Sequence, residues 1–202
     1  MTPEDVATFE RCIAVGGVAL FPADTVYGLA TDPASREGVE RLYRIKGRRP
    51  DRPAAVMFFD LELAFEALPE LGDRTRTTLG RLLPGAVTFV LPNPERRYPL
   101  ACGPTPDRLG VRVPLLRGPL EPLSAARWPV LQSSANPSGG ADPRHLEDVD
   151  PSIRARVDMQ LDCGELPGTP STVVDLAEYE ETGDYRVLRE GAVAAVEIAA
   201  AL

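Results

Sequence analysis

Apolar residues recur along the chain at two spacings, one helical and one strand-like. Val6, Phe9 and Ile13 stand at i, i+3 and i+7, the stripe of a helix buried on one face. Thr2 precedes the stripe as an N-cap, Pro3 suits the first turn, and Glu4 and Asp5 favour the positive end of the helix dipole. Gly16-Gly17 stops this helix, and the apolar run VALFP that follows reads as a buried strand. Ser35 caps a second helix to about Ile45, with Val39 and Leu42 inward. AAVMFF (54–59) is the next buried strand. Helices begin at Asp60 and Asp73, the latter ended by Pro84-Gly85. AVTFVL (86–91) is a strand, and residues 92–108, rich in Pro and Arg, form a loop. LGVRVP (109–114) alternates Leu109, Val111 and Val113 against Gly110 and Arg112, which predicts an open face carrying Arg112. A short helix near 117–126, a strand in PVLQ and a short helix after Pro151 come next. Strands in MQLDCG, STVVDL and YRVLRE and a C-terminal helix complete the pattern.

Helices and strands alternate, yet several successive strands lack a crossover helix between them. The expected fold is therefore α/β: a single domain over 1–202 with a twisted mixed parallel/antiparallel sheet and flanking helices.

Composition narrows the function classes. No apolar run approaches the roughly 20 residues of a membrane span, so no membrane role is expected. The acidic, amphipathic N-terminus is unlike a signal peptide. Cys12, Cys102 and Cys163 lie far apart, without disulfide or zinc spacing, and point to a reducing, cytoplasmic compartment. The net charge of −8 opposes nonspecific nucleic-acid binding. Residues 36–52 nevertheless carry seven basic groups against three acids. Pairs such as Glu37–Arg41 and Glu40–Arg44 account for the first half as a solvated helix face. KGRRPDRP, whose Gly47, Pro50 and Pro53 forbid a regular helix, is left as a local anion site. Of 22 basic residues Lys46 is the only lysine, and a compact ammonium suits a point contact to carboxylate or phosphate.

Common catalytic motifs are missing. The sequence has neither G-x-x-x-x-G-K-[ST] nor G-x-G-x-x-G, and no H-E-x-x-H. His145 is the only histidine; alone it excludes a histidine-based zinc site, and no G-x-S-x-G elbow accompanies it. A surface position at a helix start is expected for it. Polar groups instead gather at strand ends, where ligands collect in open α/β sheets. These are Asp24-Thr25-Tyr27-Gly28, Lys46-Gly47-Arg48 with Arg52, Arg112, Ser133-Ser134-Ala135-Asn136, Ser171-Thr172 and Arg189. Singly, each is explained as a turn cap or a snorkelling arginine. Jointly they offer hydroxyls, an amide and cations, which suits binding and orienting two polyanionic reactants, as in nucleotidyl transfer to a carboxylate.

FPADTVYGLATD, IKGRRPDRP, LPGAVTFVL, GVRVP, SSANPSGG, STVVDL and VLREG occur in an order that resembles the YrdC/Sua5/TsaC family of L-threonylcarbamoyladenylate synthases, from about residue 18 to 191. The resemblance implies a YrdC-like fold with a large, positively lined cavity, in the short form without the additional Sua5 domain. It implies that L-threonine, bicarbonate and ATP give threonylcarbamoyl-AMP and pyrophosphate. The product then feeds N6-threonylcarbamoyladenosine formation at position 37 of tRNA through a separate threonylcarbamoyl transferase complex. Mg2+ would arrive with ATP, with no tightly bound protein metal site, and tRNA contact would be weak at most. By motif, Thr25, Arg112, Ser134 and Ser171 resemble threonine contacts, and Arg48, Arg52, Asn136, Arg144 and Arg189 resemble ATP contacts. Lys46 and Arg48 are the expected catalytic cations. Departures are Ala23 for a frequent threonine, KGRR for KxRP, Met57 for a frequent histidine, and Arg108 and Arg144 for frequent threonines. The alternatives are a non-catalytic RNA- or nucleotide-binding relative and a carbamoyl-transfer domain using another acyl group.

Overall fold

The computed structural model describes residues 1–202. Thr2 caps α1 (Pro3–Ala14) as its sequence dictates: Thr2 Oγ1 accepts the Asp5 N–H at 3.2 Å, and the Asp5 carboxylate accepts the Thr2 N–H at 2.7 Å. Ser35 caps α2 (Arg36–Lys46) through the Gly38 N–H, and Gly47 ends it at φ 63°, where a side chain would be strained. Asp60 caps α3 (Leu61–Ala67), and α4 (Asp73–Leu82) starts one residue after Gly72. The short helices are α5 (Pro99–Cys102), α6 (Pro151–Arg154) and α7 (Tyr179–Thr182), and α8 (Ala195–Ala201) closes the described chain. A 3-10 helix spans Gly118–Ala125.

The strands are β1 (Ala19–Pro22), β2 (Tyr27–Thr31), β3 (Ala55–Met57), β4 (Val87–Pro92), β5 (Arg108–Arg112), β6 (Val130–Ser134), β7 (Met159–Gln160), β8 (Thr172–Asp175) and β9 (Arg186–Arg189). They form one nine-stranded sheet in the order β7-β1-β2-β6-β3-β5-β4-β8-β9. β1–β7, β3–β5 and β4–β8 are parallel and the remaining neighbours antiparallel, the mixed sheet that the sequence predicts.

Three local expectations are corrected. Tyr27–Thr31, to which the sequence assigns no strand after the polar strand end Asp24–Gly28, is a strand buried along its whole length; with β1 it makes a hairpin whose tip is Ala23–Val26. The loop 92–108 contains α5 and the start of β5. Arg112 is not on an open face: it is 3% exposed, packed against Asp24 and Thr25 at the tip of the β1–β2 hairpin.

The core is seeded by aromatics from separate segments. Phe9 of α1 lies 5.4 Å from Phe21 and 5.8 Å from Phe59 between ring centroids, and all three are buried. Phe9→Ala is expected to cost about 3–5 kcal/mol of stability, read as a lower urea midpoint with an unchanged slope.

Candidate active site

Backbone register brings the polar strand ends together. β2 and β6 pair with Gly28 opposite Ser134, and a Cβ at Gly28 would stand 3.2 Å from the Ser133 carbonyl, so glycine permits this close pairing. Arg112 on β5 lies opposite Thr88 on β4, and β4 in turn pairs with β8, which begins just after Ser171. The result is a cavity of about 430 Å³ over the middle of the sheet. Arg48, Arg112, Ser134, Ser171 and Arg189 line it, and Arg108 and Asp175 also contribute to its wall.

Arg112 Nη2 donates to Asp24 Oδ1 at 2.5 Å and to Thr25 Oγ1 at 2.6 Å. The second oxygen of Asp24 accepts the Leu115 N–H at 2.8 Å. Both side-chain hydrogen bonds of Arg112 leave from Nη2, and its buried Nε has no partner. Burial lowers the pKa of Arg112; the charge of Asp24 opposes that shift, and neighbouring Arg189 adds to it. A buried guanidinium with unused donors is a receptor for an anionic oxygen.

Ser171 Oγ lies 2.8 Å from Thr88 Oγ1, and Arg189 Nη2 donates to the Ser171 carbonyl at 2.7 Å. Arg48 is tethered by Nη2 to the Pro53 carbonyl, and its guanidinium sits 5.7 Å from the Tyr43 ring centre. Thr25 is buried behind Arg112 and does not itself line the cavity.

Lys46 occupies a different place from the lining cations. It is 4% exposed, at the end of α2, and Nζ donates to Ser134 O at 2.6 Å, Asn136 O at 2.8 Å and Asn136 Oδ1 at 2.5 Å. These three acceptors match its three N–H bonds. Asn136 is equally committed: Oδ1 also accepts from Ser134 Oγ at 2.8 Å, and Nδ2 donates to Gly140 O at 2.5 Å. Lys46 and Asn136 thus fix the turn that follows Ser134, the last residue of β6. Arg52 is exposed and does not line the cavity. Arg144 lies outside it too, paired with Glu165 at 2.5 Å and donating to the Leu166 carbonyl at 3.3 Å. His145 sits at the surface at the start of a 3-10 turn, as expected.

Burial, and then the nearby charge of Arg48, lower the Lys46 ammonium from 10.5 to about 8. The unfolded lysine keeps its proton to 10.5, so unfolding takes up a proton between about 8 and 10.5 and stability rises with pH across that window. Below about 8 both states are protonated and this slope vanishes. Urea midpoints measured against Lys46→Met, which lacks the titrating group, are expected to show that difference.

Asp24, one of the strand-end groups the sequence singles out, is the counter-charge of Arg112. Two participants, Thr88 and Asp175, are not marked by any local pattern. Thr88 is the hydroxyl partner of Ser171. Asp175 binds Arg108 at 2.8 Å and Arg186 at 2.9 Å. Burial pushes the Asp175 carboxyl up, but the Ala177 N–H and the two arginines outweigh it and hold the group below its ordinary value. No three His, Cys, Asp or Glu side chains converge to hold a metal ion.

The family model described as "Telomere recombination", for Sua5, YciO and YrdC, matches residues 11–191. The chain belongs to the Sua5/YciO/YrdC family. Within it, the chain is similar to the threonylcarbamoyl-AMP synthase of Pyrococcus abyssi, 29% identical over 187 residues, covering 92% of this chain and 54% of that protein. It is 32% identical over 165 residues to the Hahella chejuensis protein of the same name, covering 80% of this chain and 88% of that relative. The chain thus spans about half the length of the Pyrococcus relative, and 47% of a Bacillus subtilis relative of that name. Among solved structures, P. abyssi Sua5 complexed with L-threonine superimposes with a TM-score of 0.87 at 27% identity, covering 100% of this chain and 58% of that one. E. coli YciO superimposes with a TM-score of 0.78 at 24% identity over 98% and 94% of the two chains, and attests the fold of this Sua5/YciO/YrdC member. No helix in it is long and apolar enough to cross a membrane.

Proposed function

We propose that this chain is an L-threonylcarbamoyladenylate synthase, a nucleotidyltransferase acting on L-threonine, bicarbonate and ATP. The observation that carries the reading is the buried Arg112, its Nε without a partner, set in a cavity that Arg48 and Arg189 also line. The names of the relatives and the threonine complex of P. abyssi Sua5 support it.

In this reading Arg112, backed by Thr25, takes the threonine carboxylate, with Ser134 and Ser171 around it, and Arg48 and Arg189 face the triphosphate. The threonine amine and bicarbonate give N-carboxythreonine and water. Its new carboxylate oxygen attacks the α-phosphorus of ATP and pyrophosphate leaves. Mg2+ bound with the nucleotide would offset phosphate charge there. The nearby carboxylates Asp24 and Asp175 are already paired with arginines, which suits a metal held by phosphate oxygens. Arg52, Asn136 and Arg144 reach nucleotide only after rearrangement of their loops, and Lys46 acts through the turn it holds. The product goes to a threonylcarbamoyl transferase complex for tRNA modification in the cytoplasm.

The test is pyrophosphate release with ATP, Mg2+, bicarbonate and threonine, with each omitted in turn and serine in place of threonine. Release that requires all components supports the reading. ATP binding without release would identify a non-catalytic nucleotide-binding relative instead.

A further inference from the structure

Arg112 is a buried cation whose usefulness depends on how it is aimed. Its guanidinium is pinned at one nitrogen only, Nη2, by Asp24 Oδ1 and Thr25 Oγ1. Of these two partners only Asp24 carries charge, and its side chain is 7% exposed. The other Asp24 oxygen is held by the Leu115 N–H, so the carboxylate is fixed from both sides. Asp24 therefore joins the β1–β2 hairpin tip to the segment after β5 and leaves Nε and Nη1 of Arg112 free of protein partners. The Thr25 hydroxyl alone cannot do this, because it is a neutral acceptor and leaves the buried charge uncompensated.

We infer that Asp24 is the positioning residue that holds Arg112 as the carboxylate receptor of this cavity, and so sets affinity for the amino-acid reactant without touching it. The inference deepens the proposed threonine reading and rests on it for the identity of the carboxylate. It predicts a selective defect. A residue that only supported the fold would weaken threonine and ATP together, or lower kcat alone.

The test compares wild type, Asp24→Asn and Asp24→Glu. Asparagine keeps the size and can still accept the Leu115 N–H, but removes the charge. In steady-state pyrophosphate release, Asp24→Asn is expected to raise KM for threonine about 10- to 100-fold, the range for one charge-assisted contact. KM for ATP and kcat should stay within about threefold of wild type, and Asp24→Glu should recover part of the threonine affinity. The side-chain nitrogen NMR signals of Arg112, assigned with Arg112→Lys, give a readout independent of turnover. They should be resolved in wild type and averaged in Asp24→Asn, because the pinned Nη2 is released. Unchanged threonine KM, an equal loss for both substrates, or unchanged Arg112 signals in Asp24→Asn would overturn the inference. Should Asp24→Asn not fold, Asp24→Glu decides: a threonine KM no higher than wild type with disturbed Arg112 signals overturns it, and a selectively raised KM supports it. If the wild type does not turn over threonine, the enzyme reading fails. The Arg112 signals then decide the positioning role alone, with averaging in Asp24→Asn supporting it and no change overturning it.

Discussion

Arg112→Ala is expected to abolish threonine-dependent pyrophosphate release and to destabilise the protein at the same time. The two losses have different causes. The functional one is removal of a receptor whose Nε has no partner within the protein. Two charge-assisted contacts at about 1.5–3 kcal/mol each correspond to a loss of roughly 150-fold to 25,000-fold in kcat/KM. The structural one is the abandoned Asp24 carboxylate, buried opposite the missing cation. Stranding one half of a buried pair costs about 3–5 kcal/mol. A second substitution separates them. Arg112→Ala with Asp24→Ala removes the stranded charge, so the urea midpoint should recover substantially while activity stays lost. If the double variant regains activity, Arg112 is not the carboxylate receptor.

Lys46→Met should be nearly as damaging to catalysis, although Lys46 lies outside the cavity lining. Methionine has a similar stem but no donor, so Ser134 O, Asn136 O and Asn136 Oδ1 lose their shared partner. Each orphaned acceptor that stays buried costs about 1–3 kcal/mol, enough to make the turn open into water instead. The Ser134 carbonyl and hydroxyl, at the end of β6, then lose the partners that fix them in the cavity wall. The expected result is a fall of about a hundredfold in kcat/KM in a chain that still folds, since the turn lies outside the aromatic core. Lys46→Arg should not rescue it, because a planar guanidinium does not fit three acceptors gathered around a point. The Ser138 amide, which donates to the Lys46 carbonyl at 3.0 Å, should lose hydrogen-exchange protection in both variants. Normal exchange at Ser138 with lost activity would instead favour direct contact between Lys46 and substrate.

The helices were legible because their signals are local. Thr2, Ser35 and Asp60 each announce a cap, and the apolar stripe of α1 falls where its buried face lies. β2 was not legible. Tyr27, Gly28, Leu29, Ala30 and Thr31 are all buried, so no alternation marks the strand, and Gly28 with the preceding Asp24 and Thr25 imitates a turn. The mixed sheet followed from missing crossover helices, but the neighbour order did not, because pairings such as Thr88 with Arg112 join distant segments. The same reason hid Thr88 beside Ser171 and Asp175 between Arg108 and Arg186. The sequence marks Arg112 as chemistry but not its surroundings. Alternation within β5 suggested solvent on one face, where the folded chain encloses a cavity. Lys46 stands out as the lone lysine, yet its donors serve Ser134 and Asn136 at the end of β6.

The strand order also bears on how the protein is made. Thr25 leaves the ribosome early, whereas Ser171 and Arg189 leave late and insert at the far side of β4. A nascent chain halted before β8 leaves β4 without its parallel neighbour and Thr88 without its hydroxyl partner. The cavity wall is therefore complete only once β8 and β9 have been added, because Ser171, Asp175 and Arg189 come from them or from the residue just before them.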